Sequence, residues 1–251
     1  MSSYNPMEWL NEMVTEPYYL FHFLAFFSYF ILRTSLLFSP HHLLYREIQA
    51  VLALAVIAAI KFVRKESWEG FVAEFLFYAK ILLVAVSLIL DYHLTIWYII
   101  VFSVIYILTQ QPAFKGLGAA TKLTPLQLET MLTEGNTSRF WLVEFRASYS
   151  SACIRASRSL PELSIIYSNK NLSFGIVDIG LFPNAAEKFG ISLSGGMSQL
   201  PTYILVENAA EVTRFPDWDF EAKSSHPPLT KKLLSKHFEL DRHLVEYLHE
   251  K

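Results

Sequence analysis

The stretch "FWLVEFRASYSSAC", Phe140 to Cys153, joins a short apolar run to the only cysteine in the chain. The run "FWLVEF" is aromatic and β-branched, and it predicts a central buried strand. Apolar residues recur at helical spacing from Ile154 to Ile166, and Pro161 predicts a kink in that helix. The stretch therefore predicts a strand, a loop that ends on a thiol, and a helix.

The same alternation continues on both sides of this stretch. Before it, Thr124, Pro125 and Gln127 form the N-cap, first position and capping box of a helix. After it come a strand "FGIVDIG", a short helix "PNAAEKFGI", two strands in "LPTYILVENAAEVTRF" joined by a turn at Glu207 to Ala210, and an amphipathic final helix. This order predicts an α/β domain with a central mixed sheet.

The whole chain is too apolar for an ordinary soluble protein. Of its 251 residues 53% are apolar, above the ~45–50% of a typical soluble domain. Lys and Arg number 21 against 23 Asp and Glu, so no basic field attracts nucleic acid. A single cysteine excludes an internal disulfide and cysteine-rich zinc sites. We therefore expect a membrane protein with no nucleic-acid partner, metal or cofactor.

The apolar residues are concentrated in the first 110 positions. Three segments approach the ~20 residues that cross a hydrocarbon core, namely Tyr18–Phe38, Phe71–Leu90 and Leu94–Leu108. A fourth, Ile48–Val63, is shorter and either spans or lies along the interface. The predicted organisation is an α-helical membrane half with three to four segments (1–110), a linker (111–122) and an α/β domain (123–249).

Loop charges predict the orientation. Lys61, Arg64 and Lys65 follow the second segment, and Lys115 and Lys122 follow the fourth. If all four segments cross, the positive-inside rule places these residues and the C-terminal domain in the cytosol. If the second segment does not cross, the parity changes. If the domain lies in the cytosol, the acceptor patterns at Asn136 and Asn171 are expected to stay unglycosylated.

Ionisable residues within the apolar segments have two interpretations. Either Glu74 and Lys80 mark a transport path, or Glu74 merely lies near a segment end and the long Lys80 side chain extends to the interface. The second interpretation is favoured. His22, His41, His42 and His93 show no metal-ligand spacing.

Together, "WLVEF", the loop "SYSSAC", the helix with Pro161, "FGIVDIG" and "LPTYILVENAAEV" resemble the thioredoxin family of the protein disulfide isomerase superfamily. The match runs from residue 121 to 248 in the family's order and spacing. With the apolar N-terminal half, it resembles the membrane-anchored members. The resemblance implies a thioredoxin-like fold, an endoplasmic reticulum membrane location that includes mitochondria contacts, client proteins as partners, and a homodimer.

The resemblance also aligns the family's Trp-Cys-Gly-Pro-Cys motif with Tyr149 to Cys153. Ser150 replaces the first cysteine, and a serine without an adjacent base is a poor nucleophile toward sulfur. Cys153 stands in the place of the resolving cysteine, so one chain cannot cycle an internal disulfide. The remaining thiol either forms mixed disulfides or serves as a small buried apolar residue.

Neighbouring positions complete the implied site. Glu144 matches the family's buried acid, which moves protons to and from the resolving cysteine. Tyr149, Leu200, Pro201 and Thr202 are the expected substrate-binding residues, with Pro201 as the family's cis-proline. Arg146 and Arg155, if they lie near Cys153, favour its thiolate.

The predicted function is a membrane-anchored, redox-linked adaptor or sensor with a degenerate Ser-x-x-Cys site, at most a weak enzyme. The alternative is a weak thiol-disulfide oxidoreductase or isomerase that uses an external or intersubunit second thiol. In a third interpretation the chain is a structural scaffold and Cys153 only packs the core.

Overall fold

The computed structural model describes residues 15–35, 41–64, 67–134, 140–191, 200–208, 210–216 and 229–249. Its packing divides the chain into two units, Met1–Pro112 and Ala113–Lys251.

The first unit is helical. Its helices are α1 Pro17–Ser35, α2 His41–Arg64, α3 Trp68–Leu90 and α4 Tyr92–Leu108. Each predicted apolar segment coincides with one of these helices, although the end of the first, at Phe38, lies outside the described residues. Within the described ranges, α3 is the helix long and apolar enough to cross a bilayer, and α4 is apolar but shorter. The number of membrane spans therefore stays a prediction.

Polar side chains of this unit pair between helices. Glu74 on α3 forms an ion pair of 3.0 Å with Lys61 on α2. Arg33 on α1 pairs with Glu47 on α2 at 2.9 Å. Because these groups hold each other, the structural interpretation of Glu74 gains support over a transport path. Lys80 lies with its ammonium 5.7 Å from the ring centroid of Phe102.

The second unit is an α/β domain. Its elements in chain order are β1 Thr121–Leu123, α5 Pro125–Glu134, β2 Phe140–Arg146, α6 Ser151–Ala156, α7 Ser159–Tyr167, β3 Leu172–Asp178, α8 Pro183–Lys188, β4 Thr202–Glu207, β5 Ala210–Phe215, α9 Lys231–His237 and α10 Leu240–His249. The sheet order is β1-β3-β2-β4-β5. β1, β3 and β2 are parallel, whereas β4 and β5 are antiparallel to their neighbours. The predicted mixed sheet is confirmed.

β2 lies at the centre of the sheet and supplies both cores. Trp141, Val143 and Phe145 belong to one buried cluster, which also takes residues from α5 and α8. Phe140 and Leu142 belong to a second cluster with residues of α7, α9 and α10. Side chains of a strand alternate between faces, so a strand covered on both faces is apolar at most positions; in β2 the buried exception is Glu144. The predicted central strand is confirmed.

The helix after Cys153 differs from its prediction. Instead of one helix kinked at Pro161, the chain forms α6 and α7 with a break at Ser157 and Arg158. Proline has no N–H, and its ring clashes with the carbonyl of residue i−4, here Ser157. The break removes this conflict, because Pro161 then lies in the first turn of α7, where a missing N–H costs little.

The predicted linker also differs in part. Its last two residues begin β1, and the preceding residues 113–120, the entry segment, pack against α6 and α7. The amide of Phe114 donates to Ser157 Oγ at 2.9 Å, and the amide of Ala119 donates to Ser164 Oγ at 2.9 Å. Both serines are buried. The final helix differs too, since it splits into α9 and α10 at Glu239, whose φ is 47°.

A candidate thiol site at the start of α6

The single thiol lies in the first turn of α6. Ser150 is the N-cap, and its Oγ accepts a hydrogen bond from the Cys153 amide at 3.5 Å. The carbonyl of Ser150 accepts from the Ile154 amide at 3.0 Å. The Cys153 side chain is only 2% exposed and belongs to the same core cluster as Phe145, Ala147 and Leu200. Ser150 therefore serves as the cap of α6, and the single thiol is buried.

Burial raises the pKa of the Cys153 thiol, because a thiolate loses solvation there. Hydrogen bonds from the Ala147 backbone and the Ser150 side chain oppose this shift, as does the charge of Arg146, while the charge of Glu144 adds to it. Arg146 thus acts in the predicted direction but is weaker than burial. The thiol is therefore protonated at neutral pH and reacts slowly while α6 keeps its packing.

Glu144 lies on β2 with no exposed surface. Its strand neighbours in register are Ile176 on β3 and Tyr203 on β4. The Tyr203 hydroxyl donates to Glu144 Oε1 at 3.3 Å, and Oε2 has no hydrogen-bond partner within the described ranges. Burial raises the pKa of Glu144 to about 7, against lowering by Arg146 and by the Tyr203 hydrogen bond. The expected burial of this acid is confirmed.

Tyr203, the hydrogen-bond partner of Glu144, is the residue of this site that the sequence did not predict. It lies on β4, is fully buried, and has a pKa raised well above its usual value, first by burial and then by the charge of Glu144. In the sequence it is one apolar position among several in "LPTYILV". Only the antiparallel register of β2 and β4, which pairs it with Glu144, shows its role.

The four predicted substrate-binding residues divide into two kinds. Tyr149 is 61% exposed, and its ring lies over Gly180, where an added Cβ would stand 3.1 Å from Tyr149 Cε1. Leu200, Pro201 and Thr202 are buried, and the Leu200–Pro201 peptide bond is cis. Tyr149 is therefore the one of the four whose side chain is exposed. Their binding role stays a prediction.

This arrangement restricts the chemistry of the domain. The chain contains one thiol, so an internal disulfide cannot form. The Ser150 hydroxyl serves as a cap acceptor, and no three His, Cys, Asp or Glu side chains in the described part of the chain meet to hold a metal ion. The chemistry that remains to the single thiol is the formation of one mixed disulfide with an external sulfur.

Comparison with known proteins matches this reading of the chain. A protein named thioredoxin-related transmembrane protein 2 from Xenopus tropicalis is 28% identical over 244 residues, which cover 92% of this chain and 84% of the relative. A homologue of the same name from Drosophila melanogaster is 24% identical and covers 86% of each chain. The predicted resemblance is confirmed, and these relatives are named as transmembrane proteins. No family model matches the chain.

Solved structures similar to the chain are thioredoxins. The reduced thioredoxin pre-protein of Schistosoma mansoni is 26% identical with a TM-score of 0.33, and covers 39% of this chain and 84% of its own. A thioredoxin of Nicotiana alata is 16% identical with a TM-score of 0.37, and covers 50% and 94%.

Proposed function

We propose, from the similarity of this chain to thioredoxin-related transmembrane protein 2 over most of its length, that it is a membrane-anchored thioredoxin-like adaptor, linked to redox state through Cys153. One observation carries the proposal: the site keeps a single thiol, buried behind a serine cap. A site of this kind cannot turn over as a dithiol, but it retains the loop and the proline on which a partner chain can dock.

The adaptor role rests on the groups that remain accessible. Tyr149 exposes its ring beside the β3–α8 connection, where Leu181 is also exposed. Extended chains bind such domains through backbone groups next to a proline and through a few apolar side chains. Binding of a client therefore needs no thiolate, which suits a domain whose thiol is protonated.

The redox link is conditional on opening of α6. In the packed state Cys153 is shielded, so oxidants and disulfides reach it only when the first turn of α6 opens. A mixed disulfide at Cys153 would place a bulky group in a closely packed core. Modification therefore favours the open state of the loop that carries Tyr149 and changes client binding.

A second function, a weak oxidoreductase that borrows an external thiol, is favoured by a different observation. The buried Glu144 carboxyl has its pKa raised to about 7, so at neutral pH it exchanges protons readily and suits a general base for a nearby thiol. That role would be unnecessary if Cys153 only packed the core.

Insulin reduction by the full chain in detergent micelles, with glutathione as the external thiol, tests these functions. The adaptor proposal expects no turnover above the Cys153→Ser variant. Turnover that Cys153→Ser abolishes would establish the second function instead. Incubation with oxidised glutathione then tests the redox link by mass spectrometry. If the chain gains no glutathione under native conditions but gains one after denaturation, the redox link is excluded and the interpretation as a structural scaffold remains.

The setting of the domain is part of the same proposal. An endoplasmic reticulum membrane that includes mitochondria contacts, and assembly as a homodimer, rest on the family resemblance. Several membrane spans and a cytosolic domain rest on the apolar segments and on Lys61, Arg64, Lys115 and Lys122.

A further inference from the structure

The buried acid of the site is held by a residue for which the proposed function does not account. Glu144 and Tyr203 face each other as a register pair across β2 and β4, and neither has exposed surface. The phenol hydroxyl donates to Oε1 at 3.3 Å. Oε2 has no hydrogen-bond partner among the described residues. One carboxylate oxygen is therefore fixed by a donor, and the other is available.

Few other ionisable groups act on this pair in the described part of the chain. They are Arg146, two residues along the same strand, and Cys153 on α6. Cys153 is buried in the first turn of α6, and the charge of Glu144 adds to the rise in the pKa of its thiol. Glu144, Tyr203 and Cys153 are thus three buried ionisable side chains, of which Glu144 and Tyr203 are hydrogen-bonded.

We propose that Tyr203 is a positioning residue for proton exchange between Glu144 and Cys153: its hydroxyl holds Oε1, so that Oε2 accepts the thiol proton. This inference rests on the proposed chemistry of Cys153 and goes beyond it, because it assigns a role to a tyrosine that holds the acid from the neighbouring strand. Tyr203 acts through Glu144 and touches no reacting sulfur.

The step balances with a low-molecular-weight disulfide as co-reactant. The Cys153 S–H bond breaks and its proton binds Oε2 of Glu144. The thiolate forms a bond to one sulfur of the disulfide, whose S–S bond breaks, and the leaving thiolate takes a proton from water. Glu144 then returns its proton to solvent. Loss of the Tyr203 hydroxyl removes a donor that stabilises the carboxylate, so the acid holds its proton to higher pH.

The test is the pH dependence of the reaction of Cys153 with an aromatic disulfide that releases a coloured thione, measured on the full chain in micelles. The lone cysteine makes every event attributable to one site, and Cys153→Ser gives the background. We expect an inflection near pH 7 in the wild type that moves up by about one pH unit or more in Tyr203→Phe, as expected for a lost hydrogen bond to a charged group.

The chain offers a matched control. The Tyr167 hydroxyl also donates to a carboxylate, Asp241 Oδ1, at 2.7 Å, but at the surface between α7 and α10. Tyr167→Phe makes the same chemical change outside the site, and we expect it to leave the inflection in place. An equal shift in both variants would show a general effect of losing a phenol and would overturn the proposal.

Other outcomes separate this inference from the function on which it rests. An inflection that Glu144→Gln removes but Tyr203→Phe leaves in place overturns the role of Tyr203 alone. An inflection that survives Glu144→Gln overturns the pairing of Glu144 with Cys153 and the positioning role with it. Absence of any reaction before denaturation overturns the proposed redox link.

If Tyr203→Phe does not fold, infrared spectroscopy of the wild type gives the answer. The carbonyl stretch of protonated Glu144 is identified by its loss in Glu144→Gln. A frequency lowered by an accepted hydrogen bond supports the proposal, and the frequency of a free buried carboxyl overturns it.

Discussion

At the scale of single residues, Glu144 is the group whose ionisation opposes folding. Burial raises its pKa to about 7 in the folded chain, whereas an unfolded chain ionises it near the ordinary value of about 4.3. The contribution of Glu144 to the free energy of unfolding is therefore fully present below the pKa of the unfolded state, and it is lost as pH rises through the pKa of the folded state. Between these values the folded state binds the extra proton.

We expect the wild type to lose about 2–3 kcal/mol of unfolding free energy between pH 5 and pH 8 that Glu144→Gln does not lose. Guanidinium unfolding in micelles, followed by near-ultraviolet circular dichroism, measures it. Glu162 is the control, since its pKa is lowered by ion pairs with Lys231 and Arg158 that overcome desolvation. Glu162→Gln should leave the loss between pH 5 and pH 8 as in the wild type, because stability from a lowered carboxyl pKa is lost only as pH falls below the ordinary value of about 4.3. Parallel pH curves for wild type and Glu144→Gln would contradict the prediction.

Ser150 supports a second prediction at this scale. It occupies the N-cap, three residues before Cys153, where the family has its nucleophile. We expect Ser150→Cys to allow an internal disulfide and to give insulin reduction on the order of tenfold or more above the Cys153→Ser background, because an intramolecular second thiol permits a dithiol cycle. The same change combined with Cys153→Ser leaves one thiol and should show no gain. Equal rates in both would mean that the loop cannot bring the sulfurs together.

At the scale of elements, the entry segment and the α6–α7 break form one structural unit. Gly118 has a φ of +61°, and an added Cβ would lie 2.2 Å from the Pro161 carbonyl oxygen. Ser157 and Ser164 each accept an amide of the segment and donate to a helix carbonyl, of Ile154 and Pro161 respectively. The segment before β1 thus braces the helix that carries Cys153.

We expect Gly118→Ala to destabilise the domain by about 2 kcal/mol or more, from left-handed strain of ~1–2 kcal/mol together with the backbone clash. It should also speed alkylation of Cys153 under native conditions, because α6 loses its brace. Gly116→Ala is the comparison without positive φ, since the nearest atoms to its added Cβ, at 2.5 Å, belong to the Phe114 ring and not to the backbone. A lower unfolding midpoint with unchanged alkylation would show that the segment stabilises the domain without bracing α6.

Elements fixed by local chemistry were predictable from sequence, and those fixed by tertiary contacts were not. The capping box is present, with reciprocal bonds of 2.9 and 3.2 Å between Thr124 and Gln127. The turn after β4 follows from Asn208, whose φ is 47°. β1 has three residues, too few for a pattern, and exists because β3 pairs with it. The hydrogen bond of Tyr203 depends on register across two strands, which periodicity does not encode.

At the scale of the whole molecule, the first unit carries most of the large apolar side chains exposed on the described surface, among them Phe23, Val63 and Trp97. Large exposed apolar surface of this kind is covered by lipid or by a partner. The relatives of this chain are named as transmembrane proteins, which favours lipid over a partner protein. We expect the loop charges to determine the side of the membrane on which the domain lies.

The orientation is tested by cysteine accessibility in sealed microsomes, but Cys153 is unsuitable because its burial would block an impermeant reagent on either side. In a Cys153→Ser background, Leu126→Cys places a thiol on α5, and Tyr92→Cys places one at the α3–α4 turn, both at sites more than half exposed. With four spans and basic loops in the cytosol, an impermeant maleimide should label Leu126→Cys in intact vesicles. Tyr92→Cys should react only after detergent. The reverse pattern, or a glycan on Asn171, would place the domain in the lumen. Labelling of both variants in intact vesicles would mean that the α3–α4 turn lies on the cytosolic side together with the domain.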